Sequence, residues 1–338
     1  MQSNNAVLTI AIPTYNRAEI LERKLSFLSS IINENCIVLI CDNASEDNTA
    51  DLVKPFTKQF SNIVYHQNTS NLGYDANVLK CVELATTDYV WVLSDDDDID
   101  QNAPSTIINY IKKDSPDLIC LNDSNEKGIL TFTSLRTLSG EKIQINIGDI
   151  LFLSNLPEEE RYAYIASFFW VSRLVINKTK IKNFASLQEY IGSSFIQLAL
   201  TNTLLLNETS TILYTKEGLI TNNPHCVFSH NFVNVFVNKF YDFCMIPYSN
   251  FSEKTALKVA SQNIPFIVDG LKQHKIGNKI FNYDYRFFYL IGKMFKYRCS
   301  LSLIFKFITI FAIPTPVMKF FKKAKKPCKE DENKRTFI

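Results

Sequence analysis

The first 125 residues alternate short apolar runs with longer stretches in which apolar residues recur every three or four positions. The short runs are rich in β-branched residues, which is typical of strands buried on both faces. They cover residues 7–12, 36–41, 63–65, 89–93 and 118–121. Helical spacing follows each of the first four runs. We therefore predict an α/β fold with an open, mostly parallel sheet covered by helices on both faces.

Four consecutive carboxylates, Asp95–Asp98, follow the fourth apolar run directly. Carboxylates about 4 Å apart repel by roughly 1 kcal/mol in water and by several times that near a protein surface. A compensating cation is therefore expected, and Mg²⁺ or Mn²⁺ prefer carboxylate oxygens. A solvated acidic turn is the alternative interpretation of this segment.

Polar clusters end three of the predicted strands, at 13–17, 42–45 and 94–98. In open α/β sheets, ligands bind outside the carboxyl ends of the strands, so we expect the clusters to converge. Thr14 and the helix amides after it suit a nucleotide, and Asp42 suits a base N–H. Asn16 lies three residues before Glu19, which is the spacing of a capping box, so helix capping alone would also explain Asn16. Helix capping would equally explain Ser45.

Composition narrows the functional classes. The chain has 338 residues, 46% of them hydrophobic, and a formal charge of +2, which is too small to predict nucleic-acid binding. Its eight cysteines include no C-x-x-C pair, so we expect reduced thiols and no disulfide framework or zinc site. The sequence has no signal-peptide pattern and no 18-residue apolar run, which favours a cytoplasmic protein.

Four segments, in this order and spacing, resemble the motifs of family 2 glycosyltransferases of the GT-A (Rossmann-like) fold. They are Ile12–Arg17, Cys41–Asp47, Asn71–Asn77 and Leu93–Asp97. The resemblance covers roughly the first 125 residues. Within family 2, Gly73–Leu79 followed by Leu93–Asp97 looks like the group that includes abequosyltransferase-like O-antigen enzymes.

The resemblance implies a nucleotide-diphosphate sugar donor and an Asp-x-Asp element that binds Mn²⁺ or Mg²⁺. It implies a set of donor-binding residues: Pro13, Thr14, Tyr15, Asn16, Arg17, Asp42, Asn71, Gly73, Asp75 and Asp95. The first position of the Asp-x-Asp element falls on Ser94 or Asp95, and the second on Asp96 or Asp97. We favour Asp96 as the metal ligand, supported by Asp95 and Asp97.

The general base is not evident. Family 2 enzymes commonly place an acidic residue just before a helix, in a Gly-Glu-Asp-like setting, where this chain has Gly192-Ser193-Ser194. Glu189 is the nearest carboxylate and is our prediction for the base. A retaining mechanism, or a base from elsewhere, stays open. His225 is a conceivable third metal ligand, although a histidine with no catalytic role would explain it as well.

The C-terminal third suggests contact with a membrane. The apolar run 301–313 is too short to span a bilayer, but a run of lysines follows it: Lys319, Lys322, Lys323, Lys325, Lys326 and Lys329. An apolar helix next to basic residues favours the anionic inner leaflet, which would also hold a lipid-linked oligosaccharide acceptor. A helix packed on its own domain with a solvated tail is the alternative.

We therefore predict three regions: a nucleotide-sugar-binding half over 1–125, an acceptor-binding half over 126–230 and a helical, membrane-associated region over 231–338. The predicted function is a glycosyltransferase of surface polysaccharide (O-antigen or capsule) synthesis. A sugar nucleotidyltransferase would carry a Gly-rich basic loop after its first strand, and 12–16 does not match one. A non-catalytic scaffold of the same fold stays open as an alternative. A calcium-binding EF-hand loop that begins at Asp95 or Asp96 does not fit, because the chain lacks the glycine and the glutamate that such a loop needs at its sixth and twelfth positions.

Overall fold

The computed structural model describes residues 5–124, parts of 130–155, 171–205, 209–221, 228–231 and 301–313, with isolated positions between 239 and 299. Contacts divide the chain into two compact units, Met1–Asn223 and Pro224–Thr336.

Strands and helices alternate through the first part of the first unit, as predicted. They are β1 (Leu8–Thr14), α1 (Ala18–Ile31), β2 (Cys36–Asp42), α2 (Thr49–Gln59), β3 (Ile63–Gln67), α3 (Tyr74–Leu84), β4 (Tyr89–Val92), β5 (Asp98–Ile99), α4 (Ala103–Asp114) and β6 (Leu118–Ser124). The later elements are β7 (Ser134–Arg136), β8 (Lys142–Gln144), β9 (Ile150–Phe152), β10 (Leu174–Asn177), α5 (Ile196–Leu205) and β11 (Thr211–Thr221). Short 3₁₀ helices cover Val171–Arg173, Lys178–Lys180 and Phe184–Tyr190.

Among the described residues, nine strands form one sheet in the order β3-β2-β1-β4-β10-β6-β11-β5, with β9 pairing β11. The β1–β2, β2–β3, β1–β4 and β6–β11 pairs are parallel. β10 runs antiparallel between β4 and β6. β5 and β9 also run antiparallel to their neighbour β11. The predicted open sheet with helices is confirmed, and it is mixed, with parallel pairing from β3 to β4 and reversed strands at β10, β5 and β9.

Fully buried apolar side chains of β1, β2 and β4 form the centre of the core, because helices cover both faces of the sheet. Trp91 is the largest of them, and its indole N–H donates a 2.7 Å hydrogen bond to the carbonyl of Ser172. This bond satisfies the buried indole and attaches the Val171–Arg173 turn to the strand that leads into the acidic loop.

In the second unit, β12 (Phe228–Asn231) pairs in parallel with β13 (Phe281–Asn282), and α6 covers Leu301–Ala312. The apolar run near the C-terminus is thus a helix, as predicted. Within the described ranges, none of the helices has both the length and the apolar character to cross a bilayer. The lysine run at 319–329 lies outside the described residues.

Candidate active site

The three polar clusters meet at the carboxyl ends of β1, β2 and β4. Thr14 and Asp42 are partners in the β1–β2 register, and the backbone N–H of Asn43 donates to the carbonyl of Thr14 at 2.9 Å. On the other side of β1, Leu93 donates its N–H to the carbonyl of Ala11 at 2.9 Å. The parallel register therefore brings together segments that lie up to 80 residues apart in sequence.

Asp95 joins the acidic loop to the first cluster. Its side chain is buried and accepts hydrogen bonds from the Thr14 hydroxyl at 2.9 Å and from Arg17 Nη1 at 2.7 Å. Burial raises the pKa of Asp95 above its usual range, although Arg17 and Thr14 oppose this shift. The predicted proximity of Thr14, Arg17 and Asp95 is present in the structure.

Asp96 lies beside Asp95 and is more accessible. Its carboxylate accepts from the Ser94 hydroxyl at 2.5 Å and from the same Arg17 Nη1 at 3.0 Å. Burial raises the pKa of Asp96, but the Ser94 hydrogen bond and the Arg17 charge outweigh burial and hold this pKa below its usual range. Asp96 is thus the carboxylate of the loop that the site itself favours in its ionised form.

Asp97 lies close to one hydroxyl group and two cationic side chains. Its side chain is hydrogen-bonded to Ser172, and Lys24 and Arg173 lie near enough to favour its charge. Lys24 donates through Nζ to the backbone carbonyl of Asp97, and burial lowers the pKa of this lysine. Burial also raises the pKa of Asp97, and this effect exceeds those of the neighbouring cations.

The chain thus supplies cations of its own to the acidic loop: Arg17, Lys24 and Arg173. Sequence reasoning named a divalent metal for this purpose and missed Lys24 and Arg173. A signal for Lys24 was present, because this lysine shares the buried face of α1 with Leu21, Leu25 and Leu28. A charge on the apolar face of a helix requires a partner.

Asp97→Asn is expected to raise Tm by a few degrees near pH 7 in metal-free buffer. Because the pKa of Asp97 is raised in the folded state, its ionisation destabilises the fold at neutral pH. The gain should shrink as pH falls through the raised pKa and disappear below the unfolded value of about 3.9, where Asp97 is neutral in both the folded and the unfolded state. Thermal melts across this range, with Asp51→Asn at an exposed surface ion pair as control, test it. A loss of Tm at every pH would show that Lys24 and Arg173 dominate instead.

Asp42 ends β2 and is fully buried. Its Oδ2 accepts from the Tyr65 hydroxyl at 2.6 Å and from Gln67 Nε2 at 3.2 Å, and its Oδ1 accepts from the Ser45 N–H at 2.8 Å. Tyr65 and Gln67 were missed by sequence reasoning. They lie two residues apart on β3, which pairs with β2 in a register that sets Gln67 opposite Asp42.

Asn16, in the loop after β1, and Ser45, in the loop after β2, connect these two loops by hydrogen bonds. The Asn16 N–H donates to the Ser45 hydroxyl, and Asn16 Oδ1 accepts from the Glu46 N–H, both at 2.8 Å. The capping-box interpretation of Asn16 is wrong, because α1 begins at Ala18 and the Ala18 N–H donates to Asp47 instead. Asn16 has a positive φ of 53°, which asparagine tolerates better than most residues. The pair therefore fixes the first two clusters together.

An asparagine network supports the predicted segment at 71–77. Asn43 Nδ2 donates to Asn71 Oδ1 at 2.9 Å, and Asn68 Nδ2 bridges Asn43 Oδ1 and Asn77 Oδ1 at 3.1 and 2.9 Å. Gly73 has φ 81°, a conformation that favours glycine just before α3. These bonds hold the loop after β3 against the end of β2.

Asp75 begins the buried face of α3 and binds a distant turn. Its Oδ2 accepts the backbone N–H groups of Gly192 and Ser194, each at 2.8 Å. This turn precedes α5, at the point where the family resemblance places an acidic residue. Glu189, the predicted base, is exposed at the end of a 3₁₀ helix and makes none of these contacts. His225 lies outside the described residues.

The donor set at the acidic loop suits an oxygen-binding divalent ion held in part by substrate. Within the described ranges, no group of three His, Cys, Asp or Glu side chains is arranged to hold a metal. Mg²⁺ is commonly held by one or two carboxylates together with substrate phosphates, and Asp96 with its neighbour Asp97 supplies that number. The residues present therefore fit a metal that binds with a diphosphate.

Comparison with known proteins gives a family match. Residues 9–176 match the family described as "Glycosyl transferase family 2". The chain is 28% identical over 208 residues to abequosyltransferase RfbV of Salmonella typhimurium, covering 58% of this chain and 62% of that protein. It is 29% identical over 107 residues to a poly-beta-1,6-N-acetyl-D-glucosamine synthase of Staphylococcus aureus, covering 32% and 26%. The chain thus spans less than two thirds of each relative.

Solved structures resemble the whole chain at low identity. The crystal structure of S. aureus TarS 1–349 matches with a TM-score of 0.56 and 12% identity, covering 94% of this chain and 92% of that one. The complex of TarS 1–349 with UDP-GlcNAc matches with a TM-score of 0.53 and 13% identity, with the same coverage. At such identities the likeness establishes the fold alone.

Proposed function

The chain belongs to glycosyl transferase family 2, and we propose that it transfers a sugar from a nucleotide-diphosphate donor to a saccharide acceptor in surface polysaccharide synthesis. The observation that carries this proposal is the meeting of Asp42, Thr14, Arg17 and the Asp95–Asp96 pair at one sheet edge. A nucleotide-diphosphate donor with its metal needs such groups side by side: Asp42 for the base, Thr14 and Arg17 for the diphosphate, and the Asp95–Asp96 pair for the metal. The names of two relatives, an abequosyltransferase and a polysaccharide synthase, agree with the proposal.

The donor nucleotide is proposed to lie over the ends of β1 and β2. Asp42 is fully buried and held by Tyr65, Gln67 and the Ser45 N–H, so it is proposed to keep the loop at 42–45 in place for the base without further ordering on binding. Tyr15 is exposed directly after β1 and offers an aromatic face for a base. Asn71 and Gly73 complete the proposed surface through the asparagine network.

A bound Mn²⁺ or Mg²⁺ would neutralise charge on the leaving diphosphate. Asp96 is proposed as its main ligand because its side chain is 30% exposed and its pKa is lowered, whereas Asp95 is 4% exposed and burial raises its pKa. The Asp-x-Asp register then has its second position on Asp96. Asp95 instead orients Thr14 and Arg17.

The acceptor is proposed to be a lipid-linked oligosaccharide at the cytoplasmic face of an anionic membrane. Helix α6 supports this, because Leu301, Phe305 and Ile308 are exposed at i, i+4 and i+7, on one face. The lysine run that follows in sequence has the charge that anionic lipids attract.

A nucleotide-sugar panel tests the proposed function. Calorimetric titration with UDP-, GDP-, CDP- and dTDP-sugars is expected to show binding of at least one of these classes, tightened by Mn²⁺. Asp96→Ala should lower the Mn²⁺-dependent affinity at least about 10-fold, since one ligand of the metal is lost. Asp98→Ala is the matched control, because it removes an exposed carboxylate from the same loop. Binding of no donor, or metal-independent binding unaffected by Asp96→Ala, would contradict the proposal.

A further inference from the structure

One guanidinium nitrogen bridges two carboxylates of the acidic loop. Arg17 Nη1 lies 2.7 Å from Asp95 Oδ1 and 3.0 Å from Asp96 Oδ2. The arginine side chain is 41% exposed, although its backbone is fixed at the start of α1. The charged end can therefore move while the residue keeps its place.

Arg17 and a divalent cation would use the same carboxylate. A metal bound by Asp96 would bring two like charges close together, which strongly disfavours the Arg17–Asp96 contact. A diphosphate offers the guanidinium a second partner, because its planar fork pairs well with phosphate oxygens. Arg17 thus has one partner without the donor and another with it.

Resting on the proposed function, we propose that Arg17 is an exchangeable counter-cation. Without donor it neutralises Asp95 and Asp96 and competes with the metal; with donor it leaves Asp96 for the diphosphate, and the metal takes its place. Metal and nucleotide then bind cooperatively, and each raises the affinity for the other by the same factor.

Lys24 shows by contrast why Arg17 is the cation that exchanges. The Lys24 side chain is buried, and its ammonium group donates to the backbone carbonyl of Asp97. Because this ammonium group is buried and its partner is part of the backbone, it is not placed to leave that partner for an incoming ligand. Arg17 is partly exposed, and within the described part of the chain its guanidinium pairs with the side chains of Asp95 and Asp96. The two cations therefore have different roles, one structural and one exchangeable.

Mn²⁺ binding without nucleotide, followed by electron paramagnetic resonance, is the first arm of the test. Arg17→Gln is expected to bind Mn²⁺ at least 5-fold more tightly than the wild type, because the competing cation is gone. Arg17→Lys should fall between them, since it keeps the charge but loses the fork. Arg23→Gln is the matched control: it removes an exposed positive charge from the same helix and should leave the affinity unchanged. Unchanged or weaker Mn²⁺ binding by Arg17→Gln would overturn the proposal.

The second arm measures coupling, with UDP and GDP as probes. The factor by which the bound nucleotide tightens Mn²⁺ is expected to fall at least 5-fold in Arg17→Gln relative to the wild type and Arg23→Gln. If the wild type binds a nucleotide with Mn²⁺ but the factor is the same in Arg17→Gln, the exchange is wrong while the proposed function stands. If neither these nucleotides nor the donor sugars bind the wild type, the proposed function itself fails. Circular dichroism of each variant verifies that it is folded.

Discussion

Replacing Asp75 by alanine is expected to release the turn before α5 and to lower the free energy of unfolding by about 3 kcal/mol. The buried carboxylate accepts the N–H groups of Gly192 and Ser194, and each hydrogen bond to a charged group contributes about 1.5–3 kcal/mol. Alanine removes both and leaves two amides to find other partners. Hydrogen exchange at these two amides, together with chemical denaturation, measures the effect.

Asp75→Asn separates the hydrogen bonds from the charge. Its amide oxygen can still accept from both N–H groups, so we expect slow exchange to be retained and only about 1 kcal/mol to be lost. Glu83→Ala is the control on the same helix, because Glu83 pairs with Lys80 at an exposed site and contributes little. Equal exchange at Gly192 and Ser194 in wild type and Asp75→Ala would contradict the assignment.

The Asp75 contact also bears on the search for the catalytic base. Ser193 and Ser194 stand where the family resemblance places acidic residues, and Asp75 of α3 holds that turn by accepting the N–H groups of Gly192 and Ser194. We therefore expect Asp75 to position the turn against α3, whatever group removes the proton. Its donor-binding role stays a prediction, as does the role of Glu189 as base.

Local patterns in the sequence predict the parallel part of the sheet well. The runs around Ile10, Val38 and Trp91 are apolar and β-branched because both of their faces are covered, so the pattern directly reflects burial. Polar residues at the ends of these runs then converge by topology alone. This is why the sequence alone suffices to group Thr14, Asp42 and Asp95.

Long-range pairings could not be predicted in this way. β10 enters the sheet between β4 and β6 about 80 residues after β4, and nothing in its three apolar residues specifies an antiparallel neighbour. Arg173, the last residue of the turn leading into β10, pairs with Asp123 near the end of β6 and so depends on the same insertion. Arg173 was missed for this reason, whereas Lys24 could have been found from its place on the buried face of α1.

Replacing Leu301, Phe305 and Ile308 together by serine is expected to weaken binding to anionic vesicles about 100-fold. These side chains share one exposed face of α6, with Phe305 68% exposed, and burial of a large apolar side chain contributes about 1.5–3 kcal/mol. Partial insertion at the membrane surface gains a fraction of that from each residue. Co-sedimentation with phosphatidylglycerol/phosphatidylcholine vesicles at low salt measures the change.

Comparison of Phe305→Ser with Phe27→Ser distinguishes a specific effect of the exposed face of α6 from the general effect of removing an exposed apolar side chain. Both phenylalanines are exposed on helices, but Phe27 lies on α1 in the first unit, far in sequence from the lysine run. We expect Phe305→Ser alone to weaken vesicle binding severalfold and Phe27→Ser to leave it unchanged. Raising salt should weaken the wild type further, since each lysine near an anionic surface contributes about 1 kcal/mol that salt screens. Equal binding by the triple variant and the wild type would remove α6 from the proposed membrane surface.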